Sequence, residues 1–131
     1  METLPNGLVV FNATPHAITF GCGEGYNNLV TVMPDQVITA VVEEVERDRI
    51  IDFTSVDQLT LATLVTTNFV ADEAGCEIID RARRLEPDVI VGSIIAAQAY
   101  RGSVVAMVAC PGYERVPPAE KRMRCDKFTI F

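Results

Sequence analysis

The first apolar run, Leu8-Val9-Val10-Phe11, is short and β-branched and ends at Asn12-Ala13-Thr14-Pro15. It predicts a strand entering a turn. Ala17-Ile18-Thr19-Phe20 alternates and predicts a second strand. Leu29 to Met33 predicts a third, closed by a Pro34-Asp35-Gln36 turn. From Val37 to Arg49 two readings compete. Alternating positions and β-branched density favour a strand, whereas Glu43 to Arg49 could extend as helix. Asp52 to Leu61 reads as irregular, and the Thr- and Val-rich segment Leu61–Val70 as a strand. Asp72 and Glu73 then supply the acidic start that suits a helix N-terminus. Ile78, Ile79, Ala82 and Leu85 give a helical face, which Pro87 ends. Arg81, Arg83 and Arg84 fall in its last turns and read as a solvated face. Val89–Val91 is a buried strand, Ile94–Tyr100 a short alanine-rich helix, and Gly102 its C-terminal cap. Val104–Ala109 and Lys127–Phe131 complete the strands. The expected fold is α+β: a mostly antiparallel sheet of about seven strands with two short helices.

No repeat or linker divides the 131 residues. They predict a single domain, 1–131, with an extended Pro/Arg-rich C-terminal arm at about 111–131. Hydrophobic residues make up 49% and charged residues 22%, which excludes disorder as the dominant state. The formal charge of -7 argues against a duplex-DNA partner, which demands a large basic excess. That charge is unevenly spread. Residues 112–131 hold five cations against three anions, a net +2, leaving -9 on the other 111 residues. The longest apolar stretch, Val89 to Tyr100, is interrupted by Gly92, Ser93 and Gln98. It falls short of the ~18 residues of a membrane span, so no membrane partner is expected. With no basic-then-apolar leader, a cytosolic protein is expected. Cys22, Cys76, Cys110 and Cys125 form no CxxC pair, and His16 is the only histidine. A closed zinc site is therefore not expected, and the cysteines read as buried free thiols.

Four segments could carry chemistry. The loop Gly21–Gly25 lacks both the Lys-Ser/Thr ending of a P-loop and G-x-G-x-x-G spacing, and reads as a hairpin loop. Asn12-Ala13-Thr14-Pro15-His16 puts the only histidine in a turn. His16 could serve as a general base or a phosphate contact, or the whole turn could be structural, with Asn12 and Thr14 as caps. At Gly92-Ser93 a strand meets a helix start, where free N–H groups favour anions, or where small residues merely allow close packing. The strongest lead is the arm from Pro111 to Arg124. Prolines hold it out of regular ladders, and its arginines have the fork geometry that suits phosphates. A solvated basic face, or an arm docking an acidic neighbouring subunit, explains the same residues.

The stretch Val91-Gly-Ser-Ile-Ile-Ala-Ala-Gln-Ala-Tyr-Arg-Gly, the run Val104-Val-Ala-Met-Val, the segment Pro111-Gly-Tyr-Glu-Arg-Val-Pro-Pro-Ala-Glu-Lys-Arg-Met and the ending Asp126-Lys-Phe-Thr-Ile-Phe together resemble the first Thoeris anti-defence family of phage proteins. Phe11-Asn-Ala-Thr-Pro-His is compatible with it. The resemblance covers residues 89–131 well and the first half poorly. It implies an α+β signal sponge that sequesters cyclic ADP-ribose isomers in the cytoplasm of an infected bacterium. It further implies homo-hexamers, no cofactor and no turnover, with cyclic trinucleotides held at separate sites in some members. The ligand contacts it implies are arginines (Arg115, Arg122 and Arg124), amides (Gln98 and Asn68) and stacking rings (Phe69, Tyr100 and Tyr113). The helix start at Ser93 and the turn at His16 add those two residues as candidate contacts on the anion chemistry given above. Two other classes remain open: a small nucleotide-cleaving enzyme with His16 as base, and a structural or oligomerisation protein of a phage.

Overall fold

In the computed structural model, which describes residues 1–22 and 28–131, the elements run β1 (Glu2–Thr3), β2 (Val9–Asn12), β3 (Ile18–Cys22), β4 (Val30–Val32), β5 (Val41–Asp52), β6 (Leu59–Val70), α1 (Glu73–Arg84), β7 (Val89–Gly92), α2 (Ile94–Ala99), β8 (Val105–Ala109) and β9 (Met123–Thr129). The α+β class is as the residue pattern predicts. The large sheet has the order β1-β2-β7-β8-β9-β3-β4, and β5 and β6 form a separate two-stranded sheet. The large sheet is mixed rather than antiparallel. The pairs β2–β7, β7–β8 and β3–β9 are parallel; α2 is the helical crossover between β7 and β8, whereas β2–β7 and β3–β9 join strands distant in the chain.

Strict alternation along the strands sorts their side chains into two cores. Phe11, Ile90 and Ala106 project to one face and pack against Ile79, Ala82, Ala96, Ala97 and Tyr100 of the helices. Their neighbours Val10 and Val91 project to the other face, where they meet Phe20, Val32, Leu4 and Cys125. Strands from both ends of the sheet order thus share one interior, so the sheet curls until β1 lies against β4.

Asn12 closes this seam. It is fully buried, and all four hydrogen-bonding positions of its amide are used. Nδ2 donates to the carbonyls of His16 (2.8 Å) and Val32 (2.9 Å). Oδ1 accepts from the Thr14 N–H (2.9 Å) and hydroxyl (2.7 Å). Asp35, just past β4, accepts from the Asn12 N–H at 2.8 Å and from the chain's N-terminal ammonium at 2.7 Å. The structural reading of the Asn12–His16 turn is the one realised.

Three expectations are corrected. The ambiguous segment after Val37 is strand β5, and the hairpin partner β6 starts two residues earlier than predicted. The second half of the basic arm is not an arm. Residues Met123–Thr129 form β9 between β8 and β3, because Cys125 alternates into the buried interior. The cysteines are not uniformly buried free thiols: Cys76 is exposed, while Cys110 is buried and disulfide-bonded. Burial pushes the Cys125 thiol up from its ordinary range. The predicted loop Gly21–Gly25 lies largely in residues 23–27, outside the described residues. No helix among the described residues is long and apolar enough to cross a membrane.

A second node ties the helices to the hairpin. Asp72 caps α1, its side chain accepting from the Gly75 N–H at 2.7 Å. The Tyr100 hydroxyl lies 3.0 Å from both Asp72 Oδ1 and the Thr39 carbonyl and accepts from the Asp72 N–H at 3.0 Å. Position 75 is glycine because a Cβ there would stand 1.8 Å from the Tyr100 hydroxyl oxygen.

Two stability predictions follow from these nodes. Asn12→Ala takes the side-chain acceptor from the buried Thr14 N–H and a donor from the Val32 and His16 carbonyls, of which the His16 carbonyl keeps the Thr14 hydroxyl. The change is expected to cost about 3 kcal/mol, read as a lowered urea midpoint at unchanged slope. Gly75→Ala is expected to cost on the order of 1–3 kcal/mol by overpacking. In a Tyr100→Ala background, where the clashing ring is gone, the same change should no longer destabilise, as a double-mutant cycle by thermal melting would show.

Candidate binding grooves

Two separate grooves gather the residues that point to ligand chemistry. The first, of about 500 Å³, lies between the root of the β5–β6 hairpin, α1 and the end of α2. Phe69, one residue before the end of β6, contributes a half-buried ring. From α1 come Cys76, Ile79, Asp80 and Arg83, spaced three or four residues apart and therefore stacked on one helix face. Gln98, Tyr100, Arg101 and Ser103 form the far wall. Arg83 Nη2 donates to Ser103 Oγ at 2.6 Å, and Arg101 Nε donates to the Gln98 carbonyl at 3.3 Å. Among the described residues, neither guanidinium has a carboxylate within ion-pair distance. Each keeps donors for an outside anion. Against the single carboxylate of Asp80, the two cations leave the lining net positive.

Tyr100 belongs to this groove as a wall, not as a stacking platform. Only 5% of it is exposed, and its hydroxyl is committed to the Asp72–Thr39 node. Burial pushes its phenol pKa above the ordinary value, so it remains a neutral donor.

The second groove runs between the start of β3 and the arm. Its first part, about 340 Å³, is lined by His16, Ile18, Thr19, Pro118, Lys121 and Met123. It continues through Thr19 and Lys121 into a hollow of about 350 Å³ that includes Tyr113 and Arg122. The Arg122 guanidinium carbon stands 5.0 Å from the centre of the Tyr113 ring, a cation–π distance. One face of that ring is thus already covered by the chain's own cation. The His16 ring is exposed, and no side-chain hydrogen bond orients it among the described residues.

The structure therefore divides the sequence-predicted site residues. Phe69, Gln98 and Tyr100 come together in the first groove, and His16, Tyr113 and Arg122 in the second. Four others join neither. Arg115 lies in an exposed turn. Arg124 grips Asp126 with both ends of its fork, at 2.8 and 2.9 Å, which holds the Asp126 carboxyl below its ordinary range. Asn68 is exposed on the hairpin opposite Glu43, on the face away from Phe69. Ser93 spends its hydroxyl capping α2, accepting from the Ala96 N–H at 3.0 Å, and that helix has only six residues.

Arg83, Arg101 and Lys121 are the groove cations that the sequence pattern did not single out. Arg83 carried a usable signal. It is seven residues after Cys76 and four after Ile79, so it shares the inward edge of α1, whereas Arg81 and Arg84 do not line this groove. Arg101 carried none, because its place depends on how α2 meets the hairpin. Among the described residues, no group of three or more His, Cys, Asp or Glu side chains is placed to hold a metal ion. No protein-family model, no curated protein and no solved structure matches this chain.

Proposed function

We propose that this protein is a non-catalytic sponge that binds and sequesters a small cyclic nucleotide-type signal of the cyclic ADP-ribose class. It would act as a homo-oligomer, a hexamer by the resemblance of residues 89–131, in the cytoplasm of an infected bacterium, where withdrawing the signal blunts immunity. The observation that carries this reading is the first groove. Two guanidiniums with no carboxylate partner among the described residues face an open volume beside an aromatic ring and an amide side chain. Guanidinium forks suit a pyrophosphate. The Phe69 ring offers a base a surface for stacking, and Gln98 can both donate to and accept from a base edge. The volume lies within the range of pockets that hold small organic ligands.

The acidic remainder of the chain is compatible with this ligand. A small anion needs two or three local cations, not a basic surface. The second groove, with Lys121, Arg122 and His16, is the place for an additional anionic ligand, such as the cyclic oligonucleotides that the resemblance implies.

The direct test is calorimetric titration with a cyclic ADP-ribose isomer, followed by heat denaturation and recovery of the ligand. Stoichiometric, chemically intact ligand is the expected outcome. Absence of binding at micromolar concentration overturns the reading, and a linear product formed with turnover replaces it with an enzyme. Arg83→Ala and Arg101→Ala should each weaken binding about 10- to 100-fold, the range for losing a hydrogen bond to a charged group. Arg115→Ala, in its exposed turn, should leave affinity unchanged.

A further inference from the structure

The β5–β6 hairpin is anomalous as a free element. Its two strands of twelve residues each form a sheet with no third strand among the described residues, and a lone two-stranded ribbon is marginal in water. At about 3.4 Å per residue it reaches roughly 40 Å. Its apolar side chains stand in solvent: Val42 is 56% exposed, Ile50 50%, Leu61 66% and Leu64 48%.

The two edges of this ribbon differ sharply. β5 carries seven charged residues, Glu43, Glu44, Glu46, Arg47, Asp48, Arg49 and Asp52. Charged side chains are the usual guard on an edge strand. β6, Leu-Thr-Leu-Ala-Thr-Leu-Val-Thr-Thr-Asn-Phe-Val, carries none. It is long, uncharged and rich in β-branched residues, and among the described residues no strand pairs with its outer backbone edge. Such an edge is a template for another strand.

We propose that the outer edge of β6 pairs antiparallel with β6 of a second copy of this chain. Two hairpins then join into one four-stranded sheet with β5 at both outer edges. The occupant follows from charge and closure. A β5–β5 contact would set five anions and two cations against the same excess of anions. A β6–β5 contact is head-to-tail and leaves an unused edge on each end, so it propagates instead of closing. A β6–β6 contact is self-complementary, opposes no like charges and leaves only guarded edges outside.

The register agrees with this arrangement. One face of the hairpin holds Val41, Val45, Ile50, Leu59, Leu64 and Val70, with Glu43, Asp48 and Asp52 on its β5 side, because the irregularity between Glu46 and Asp48 rephases β5 and that between Ile50 and Ile51 rephases β6. A two-fold axis normal to the sheet places this face of both copies on the same side. The uncharged β6 halves of this face, with Leu59, Leu64 and Val70, therefore meet at the junction, while the β5 carboxylates stay at the outer edges.

The test uses the full chain without ligand, so its failure leaves the ligand reading standing, and the reverse. Light scattering after size exclusion should give a dimer or another even-numbered assembly, six included. A monomer or an odd-numbered assembly at micromolar concentration overturns the proposal. Leu64→Lys with Val65→Lys puts a lysine on each face at mid-strand and should halve the mass or divide it further. Val42→Lys with Val45→Lys on β5 should leave the mass unchanged; dissociation by the β5 pair but not the β6 pair overturns the proposal. Hydrogen exchange on the unmodified chain gives a readout that does not depend on the variants folding. Outward-facing amides of 59–70 should be protected and lose protection on dilution, while outward-facing amides of 41–52 exchange freely. The opposite pattern overturns the β6 contact.

Discussion

The fold depends on the amide of Asn12. The end strands of the seven-stranded sheet have only two and three residues, and the end of β2 is tied to the segment after β4 by two backbone bonds, Asp35 N–H to the Asn12 carbonyl and Ile38 N–H to the Ala13 carbonyl. A buried side chain can reinforce so short a closure. Asn12 does so from inside, donating to β4 and to the turn that leads into β3 while its oxygen anchors that turn. A buried amide is tolerated only when every donor and acceptor is used, and here each one is. The same requirement makes the site intolerant of substitution and sets where β3 and β4 lie.

With the curl set, the two-residue period of the strands does the rest. β2, β7 and β8 present one set of side chains to the interior of the curl and the alternate set to the helices. Tyr100 is the link from that second core to the hairpin. Its ring fills space that glycine leaves at position 75, and its hydroxyl joins the start of α1 to the chain just before β5. The first groove exists because of this join. The hairpin root, one face of α1 and the end of α2 meet around Tyr100, and the gap between them is rimmed by Phe69, Arg83, Gln98 and Arg101.

Charge is distributed by the same architecture. The arm's cations are a conspicuous cluster in the chain, yet folding scatters them. Arg124 is neutralised by Asp126 two residues on, Arg122 covers Tyr113, and Arg115 turns outward. Arg83 and Arg101 look unremarkable in sequence, one in a run of helix arginines and one at a helix end. Tertiary packing sets these two beside a ring, with no carboxylate partner among the described residues. A cation's neighbours, more than its local density, decide whether it can receive an anion.

The chain by itself determined the elements whose signal is local: the strand at Val89–Val91 with its Gly-Ser junction, the helix begun at Asp72 and stopped before Pro87, the α+β class, and the turn at Asn12–His16 with its capping side chains. Only the tertiary structure decided that the sheet is mixed, that Met123–Thr129 is a central strand, that Tyr100 is a wall and that Arg83 and Arg101 share a groove with Phe69. The reason is physical. Periodicity and capping are set by residues within a turn or two of one another, whereas strand order, register and the pairing of charges depend on contacts between positions tens of residues apart. No local pattern encodes which of several compatible partners a strand edge or a guanidinium will meet.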